Sequence, residues 1–198
     1  MTTILLLRHS IPERGGSSPD PGLSAEGLQR AAAVFQNDAF RTVSLVWSSP
    51  SLRALQTAQL LGLPVRQDTR LAVLVKQFID RTGDTTGQDA SFWKRQYEDP
   101  DFKNPDGESF REVSARMADC IHELLDSLPE GQNALVVSHA AAICSYLQRF
   151  CTVEVTDAAQ KLRRITFQGE VLLDGHFWEA DGFVLHIENR HPVLIRTI

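Results

Sequence analysis

Three short stretches of this chain place guanidinium, imidazole and hydroxyl groups directly after runs of hydrocarbon. Arg8-His9 follows Ile4-Leu5-Leu6-Leu7, Ser48-Ser49 follows Val43-Ser44-Leu45-Val46-Trp47 with Arg53 one helical turn further on, and Ser138-His139 follows Ala134-Leu135-Val136-Val137. Arginine forks match the geometry of phosphate oxygens. A neutral imidazole nitrogen is a competent nucleophile near neutral pH. Side chains of these types are suited to gripping a phosphoryl group and attacking it, one histidine as the nucleophile and the other holding charge. Neighbouring arginine charge would keep the rings unprotonated. Phosphoryl transfer asks mainly for positioning and for stabilisation of the equatorial oxygens. The candidate catalytic residues are therefore Arg8, His9, Arg53 and His139. Ser10, in the turn after the first pair, and Ala140, opening the helix after the second histidine, are candidate phosphate contacts.

The elements that must hold these groups follow from pattern. Short apolar runs that end in polar turns predict buried strands, and strands alternating with helices predict a parallel sheet whose carboxyl edge carries the ligand site. Helices are expected from about Ala25 to Asn37, with Ser24 as N-cap, and from the Ser48-Ser49-Pro50 start through Leu60 to the Gly62-Leu63-Pro64 stop. Phe110, Val113, Met117, Ile121, Leu124 and Leu128 form one apolar stripe of a long helix, and another helix runs from Ala140 to Phe150. The tail suggests strands near Arg164 to Leu173 and Phe183 to Ile187, the last at a sheet edge. The expected architecture is a three-layer α/β/α sandwich with a mostly parallel central sheet. It forms a single domain over residues 1–198, with an irregular, pocket-forming insertion at about 66–108.

Arg8-His9, "DPGLSAEG" at Asp20 to Gly27, "VWSSPSLRALQTA" at Val46 to Ala58, "PDGES" at Pro105 to Ser109 and "LVVSHAA" at Leu135 to Ala141 together resemble the histidine phosphatase superfamily, the phosphoglycerate mutase-like fold. The resemblance covers residues 1 to about 150. It implies a phosphohistidine intermediate on His9, with Arg8 and Arg53 on the phosphoryl oxygens, His139 completing the pocket, and no metal or other cofactor. Two positions depart from the family pattern. Ser10 stands where glycine usually follows the Arg-His pair, so its hydroxyl either contacts the phosphate or tightens the turn. After Arg70-Leu71, where many members carry a glutamate that protonates the leaving oxygen, Ala72-Val73-Leu74-Val75 offers no carboxylate. The substitutes are Glu108, which is equally well read as a helix-start carboxylate, and Asp80 or Asp84. A missing acid penalises alkyl phosphates more than aryl phosphates or phosphoramidates.

The expected function is metal-independent hydrolysis of a phosphomonoester or phosphoramidate. Two alternatives stay open: mutase-type phosphoryl transfer, and a catalytically weak phosphate-binding regulatory protein. The mutases' Glu-Ser and Trp-Asn signatures are absent from Ser10 to Gly15. The partner is a small phosphorylated substrate or a phosphoprotein. A net charge of −5 argues against nucleic acid, and no run reaches the roughly 18 apolar residues of a membrane span. Cys120, Cys144 and Cys151 lack C-x-x-C spacing and read as buried thiols of a cytoplasmic protein. His122, His176, His186 and His191 lack ligand spacing, so no metal is expected on them. Phe92 and Trp93 read as packing or pocket lining, and Lys94 and Arg95 as anion contacts or solvated charges.

Overall fold

In the computed structural model, which describes residues 2–73, 90–105, 107–129 and 131–198, the hydrocarbon run after the N-terminus is strand β1 (Thr2–Arg8). Its side chains divide by parity: Ile4 and Leu6 enter one hydrophobic cluster, Leu5 and Leu7 another. Strand β4 (Asn133–Ser138) splits the same way, Ala134 and Val136 against Leu135 and Val137. Successive strand side chains point to opposite faces, so a strand covered on both sides reads as unbroken hydrocarbon.

Between these strands lie α1 (Ala25–Val34), β2 (Val43–Ser48), α2 (Leu52–Gln59), β3 (Val65–Gln67), α3 (Ala90–Glu98) and α4 (Phe110–Ser127). After them come α5 (Ala140–Leu147), β5 (Thr152–Asp157), β6 (Leu162–Phe167), β7 (Glu170–Gly175), β8 (Gly182–Glu188) and β9 (His191–Thr197). The six-stranded sheet runs β3-β2-β4-β1-β8-β9. Strands β1, β2, β3 and β4 are mutually parallel, and β8 runs antiparallel to both its neighbours. Arg8 pairs with Ser138, and Ser48 with Val137, so the three polar turns leave the sheet at one carboxyl edge. Ala54 and Ala58 of α2, with Val34 and Phe35 at the end of α1, cover one face. Helices α3, α4 and α5 and the small antiparallel sheet β5-β6-β7 cover the other, the apolar stripe of α4 from Phe110 to Leu124 lying fully inside and Leu128 beyond its end partly buried. This is the expected α/β/α arrangement with a mostly parallel centre.

The structure corrects four details. Helix α1 stops at Val34 because the Asn37 side chain accepts from the Ala39 amide (2.9 Å) and caps a separate 3₁₀ turn over Asp38–Phe40. Helix α2 starts at Leu52, not at Pro50, because the Ser49 amide still donates to the Val137 carbonyl of β4 (2.9 Å). The tail segment read as one strand is the hairpin β6–β7, turned at Gln168 (φ 51°) and Gly169 (φ 88°). Strand β8 lies inside the sheet, and β9 forms the edge.

Candidate active site

Backbone pairing carries the first turn into register with the third. The His9 amide donates to the Ser138 carbonyl (2.9 Å), and the Ala180 amide donates to the His9 carbonyl (3.2 Å). His9 and His139 thereby stand side by side, ring centroids 5.0 Å apart and planes inclined by 63°. The turn itself is built by Ser10, whose hydroxyl donates to the Gly27 carbonyl (2.7 Å) and whose amide donates to Thr57 Oγ1 (2.9 Å). Both donors of Ser10 face inward, so this serine tightens the turn, against the expectation of a phosphate contact. Gly27 is required at this point because a Cβ there would lie 2.1 Å from the Ile11 carbonyl oxygen.

Hydrogen bonding fixes the tautomer of His9. Its Nδ1–H donates to the Ser10 carbonyl (2.7 Å), which leaves the Nε2 lone pair facing Arg53, whose Nε donates to it (3.2 Å). The same guanidinium donates from Nη2 to His139 Nδ1 (3.3 Å) and from Nη1 to Asp20 (3.3 Å). His139 then carries its proton on Nε2, donating to Ser49 Oγ (2.9 Å) with Ser51 Oγ at 3.3 Å. Asp20 also accepts from the Leu52 amide (2.8 Å), satisfying the start of α2 where Ser51 makes no side-chain cap. Asp20, Ser49, Ser51 and Thr57 sit inside motifs quoted above, but contacts across such distances in sequence leave no local signal of their roles.

Both rings are held neutral. His9, 7% exposed, has its pKa lowered to about 3, chiefly by burial; the Ser10 carbonyl opposes this, and Arg53 and then Arg8 add to it. His139 is pushed well below the ordinary histidine range by burial first, then by His9 and Arg53. Arginine charge, the cause expected from the sequence, is thus secondary to desolvation.

Arg8 turns away from this cluster. Its Nη1 donates to the Phe177 carbonyl and its Nη2 to Glu179 (2.6 Å), in the segment between β7 and β8. There it borders a cavity of about 340 Å³ that Ala140, Trp93, Arg163 and Trp178 also line. Ala140 stands at the first position of α5, where its amide belongs to the unpaired end of the helix. Phe92 stacks on Phe102 (4.9 Å between centroids), Arg95 lies over the same ring, and Lys94 pairs with Glu98 (3.4 Å). Of Phe92, Trp93, Lys94 and Arg95, Trp93 is the one in the cavity wall.

Glu108 lies before the N-cap of α4 and is gripped by Arg116 at both oxygens (2.8 and 2.9 Å). Two oxygens accepting from N–H donors is the arrangement of a carboxylate, not of a proton donor. Asp80 and Asp84 lie outside the described residues. The three cysteines are buried free thiols, and among the described residues no helix is long and apolar enough to cross a membrane. Of the tail histidines, His176 stacks on Trp178 (4.4 Å) and lines the cavity, His186 contacts Thr3 Oγ1 (3.2 Å), and His191 bonds the Asn189 carbonyl (3.0 Å).

A mostly parallel sheet bearing two histidines and an arginine at its carboxyl edge, with helices on both faces, defines the phosphoglycerate mutase-like fold. The chain belongs to the histidine phosphatase superfamily, branch 1, whose family model matches residues 4–166. It is 31% identical over 155 residues to a probable phosphoglycerate mutase GpmB of Cronobacter sakazakii, covering 72% of each chain. The fold is shared with a mycobacterial glucosyl-3-phosphoglycerate phosphatase (TM-score 0.66, 24% identity, 99% of this chain and 95% of that one). It is shared also with a phosphoserine phosphatase of Entamoeba histolytica (TM-score 0.67, 20% identity, 98% and 94%). The family model and the curated relative support an enzyme of the phosphatase or mutase type, and the two solved structures show the fold.

Proposed function

We propose that the chain is a metal-independent phosphatase that hydrolyses a phosphomonoester or phosphoramidate through a phosphohistidine on His9. The observation that carries this reading is the His9 ring: its Nδ1 proton is committed to the Ser10 carbonyl, so a neutral Nε2 lone pair stands beside the Arg53 guanidinium. In the first step Nε2 forms a bond to phosphorus, and the bond from phosphorus to the leaving oxygen or nitrogen breaks with its electron pair. Arg53 exchanges its imidazole partners for phosphoryl oxygens as the group arrives, while His139, held through Nε2 by Ser49, keeps Nδ1 toward the same guanidinium. In the second step water attacks phosphorus, the P–N bond breaks, phosphate leaves and His9 returns neutral. With Glu108 held by Arg116, good leaving groups are favoured: aryl phosphates and phosphoramidates over alkyl phosphates. Hydrolysis is favoured over mutase chemistry because Ser10 to Gly15 lacks the mutase signatures. Buried free thiols suit a reducing cytoplasm.

The test is metal-free hydrolysis of an aryl phosphate by the wild type and by His9→Ala, with rapid-quench trapping of acid-labile phosphoprotein. Turnover and label in the wild type, both lost in the variant, support the reading. Phosphate binding without turnover or label overturns it in favour of a phosphate-binding protein.

A further inference from the structure

The segment 177–181, between β7 and β8, lies beyond the residues 4–166 that the family model matches, yet it grips the Arg8-His9 pair through backbone and side chain alike. The Arg8 amide donates to the Asp181 carbonyl (2.9 Å) and the Ala180 amide to the His9 carbonyl (3.2 Å). Arg8 Nη1 donates to the Phe177 carbonyl and Nη2 to the Glu179 carboxylate (2.6 Å). Since the Ser138 carbonyl of β4 takes the His9 amide from the other side, the pair is bound on both flanks. The segment is itself braced. The Asp181 amide donates to the Trp178 carbonyl (3.2 Å), and Asp181 Oδ2 accepts from the Trp178 amide (2.8 Å). Arg30 of α1 donates to the Glu179 carbonyl (2.5 Å) and to Asp181 Oδ1 (3.3 Å). Ala180, 2% exposed, sits at φ 63°, a left-handed conformation that a residue other than glycine keeps only where its surroundings impose it. Glu179 is the one carboxylate among the residues lining the cavity, against the cations Arg8, Arg14, Lys161 and Arg163. Its ion pair with Arg8 is largely withdrawn from water, the side chains being 17% and 19% exposed. Burial lowers the Arg8 pKa, and Glu179 is the strongest influence against it, ahead of Arg163, which lowers it further. A carboxylate so placed offsets the desolvation of the guanidinium and, with the Phe177 carbonyl on the other terminal nitrogen, fixes its plane.

We propose that Glu179 is a positioning residue for phosphoryl transfer: it acts through Arg8, holding the guanidinium at the angle from which its remaining N–H bonds meet the phosphoryl oxygens. Glu179 itself neither gives nor takes a proton in the reaction. The inference rests on the phosphatase reading, in which Arg8 and Arg53 bind the transferred group. It gives each of those arginines its own carboxylate, Asp20 for Arg53 and Glu179 for Arg8.

The experiment is a double-mutant cycle with two readouts. Wild type, Glu179→Gln, Arg8→Ala and the double variant are compared in kcat/KM for an aryl phosphate and, by calorimetry, in the dissociation constant of inorganic phosphate. Glu179→Gln keeps the shape of the side chain and removes its charge. It is expected to weaken phosphate binding about tenfold and to lower kcat/KM by about 10–100-fold. In the Arg8→Ala background the same substitution is expected to change either quantity by less than about twofold, because its route to the substrate is gone. Glu179→Asp, which keeps the charge but draws it back by one carbon, needs no Arg8 variant and is expected to fall between wild type and Glu179→Gln in both quantities. A loss of the same size in both backgrounds, or equal losses for Glu179→Asp and Glu179→Gln, overturns the assignment. Tighter phosphate binding by Glu179→Gln overturns it too, since the carboxylate would then be a competitor of phosphate for Arg8. Failure of the wild type to turn over aryl phosphate overturns the phosphatase reading instead, while the cycle on inorganic phosphate still tests Glu179.

Discussion

The phosphoryl pocket and the cavity beside it are built in opposite ways. In the phosphoryl pocket at the ends of β1, β2 and β4, each ring nitrogen of His9 and His139 and each nitrogen of the Arg53 guanidinium has a protein partner. In the cavity walled by α3, β6 and the segment before β8, donors on Arg8, Gln96 and Arg163 have none. The first region holds its reactive atoms in place with its own network, which suits chemistry that depends on positioning. The second buries donors that the protein itself leaves unsatisfied, which costs folding free energy instead of holding reactive atoms in place. Arg8 belongs to both: its backbone continues β1, and its guanidinium faces the cavity.

The comparison can be broken at several points. The largest effect is expected from Arg53→Ala, which removes the common partner of both histidines; kcat/KM for an aryl phosphate should fall by about 10²–10³. A loss below tenfold would detach Arg53 from the chemistry. Next comes Asp20→Asn, which keeps an acceptor for the Leu52 amide but removes the charge that holds Arg53. Here kcat should fall by up to about 10² with the thermal midpoint unchanged, and equal losses in stability and rate would make Asp20 merely structural.

Burial of two neutral histidines makes a prediction about pH. The folded pKa of His9, about 3, lies below the unfolded value near 6.5, and His139 shifts in the same direction. Below about pH 6.5 the unfolded chain therefore binds protons that the folded chain refuses. Stability should be full above that pH and fall as acid is added, by about 1.4 kcal/mol per pH unit for each such proton, flattening for His9 near pH 3. Urea titrations between pH 8 and 4 check this, and the His9→Ala variant should show a shallower slope. The smallest effect is expected from Glu108→Gln. If both its oxygens only accept, the substitution should slow alkyl and aryl phosphates in equal proportion. A selective loss on alkyl phosphates would identify Glu108 as the proton donor.

Much of the phosphoryl pocket is legible in the sequence because its parts are local. Each of Arg8-His9, Ser48-Ser49 and Ser138-His139 ends a hydrocarbon run, and right-handed parallel connections bring such ends together. The cavity has no such signature. Arg8 reaches Glu179 across 171 positions, and Arg163 is the second residue of a strand whose pattern marks it as ordinary β-structure. Its burial depends on α3 and α5 packing around it, which no window along the chain records. Hairpin turns such as Gln168-Gly169 and Asn189-Arg190 were readable in principle from their residue types, yet each joins strands whose place in the sheets is set by distant partners. Ser10 shows the limit of motif reading: residue type allows a phosphate contact, and only the position of the Gly27 carbonyl decides against it.

The most direct measurement is the site of phosphorylation on the trapped enzyme. Wild-type protein quenched in alkali during aryl phosphate turnover, then analysed by ³¹P–¹H correlation NMR and peptide mass spectrometry, should carry phosphate on Nε2 of His9, because Nδ1 is held by the Ser10 carbonyl. Phosphate on Nδ1 of His9, on His139, or on no histidine while turnover continues would contradict the account.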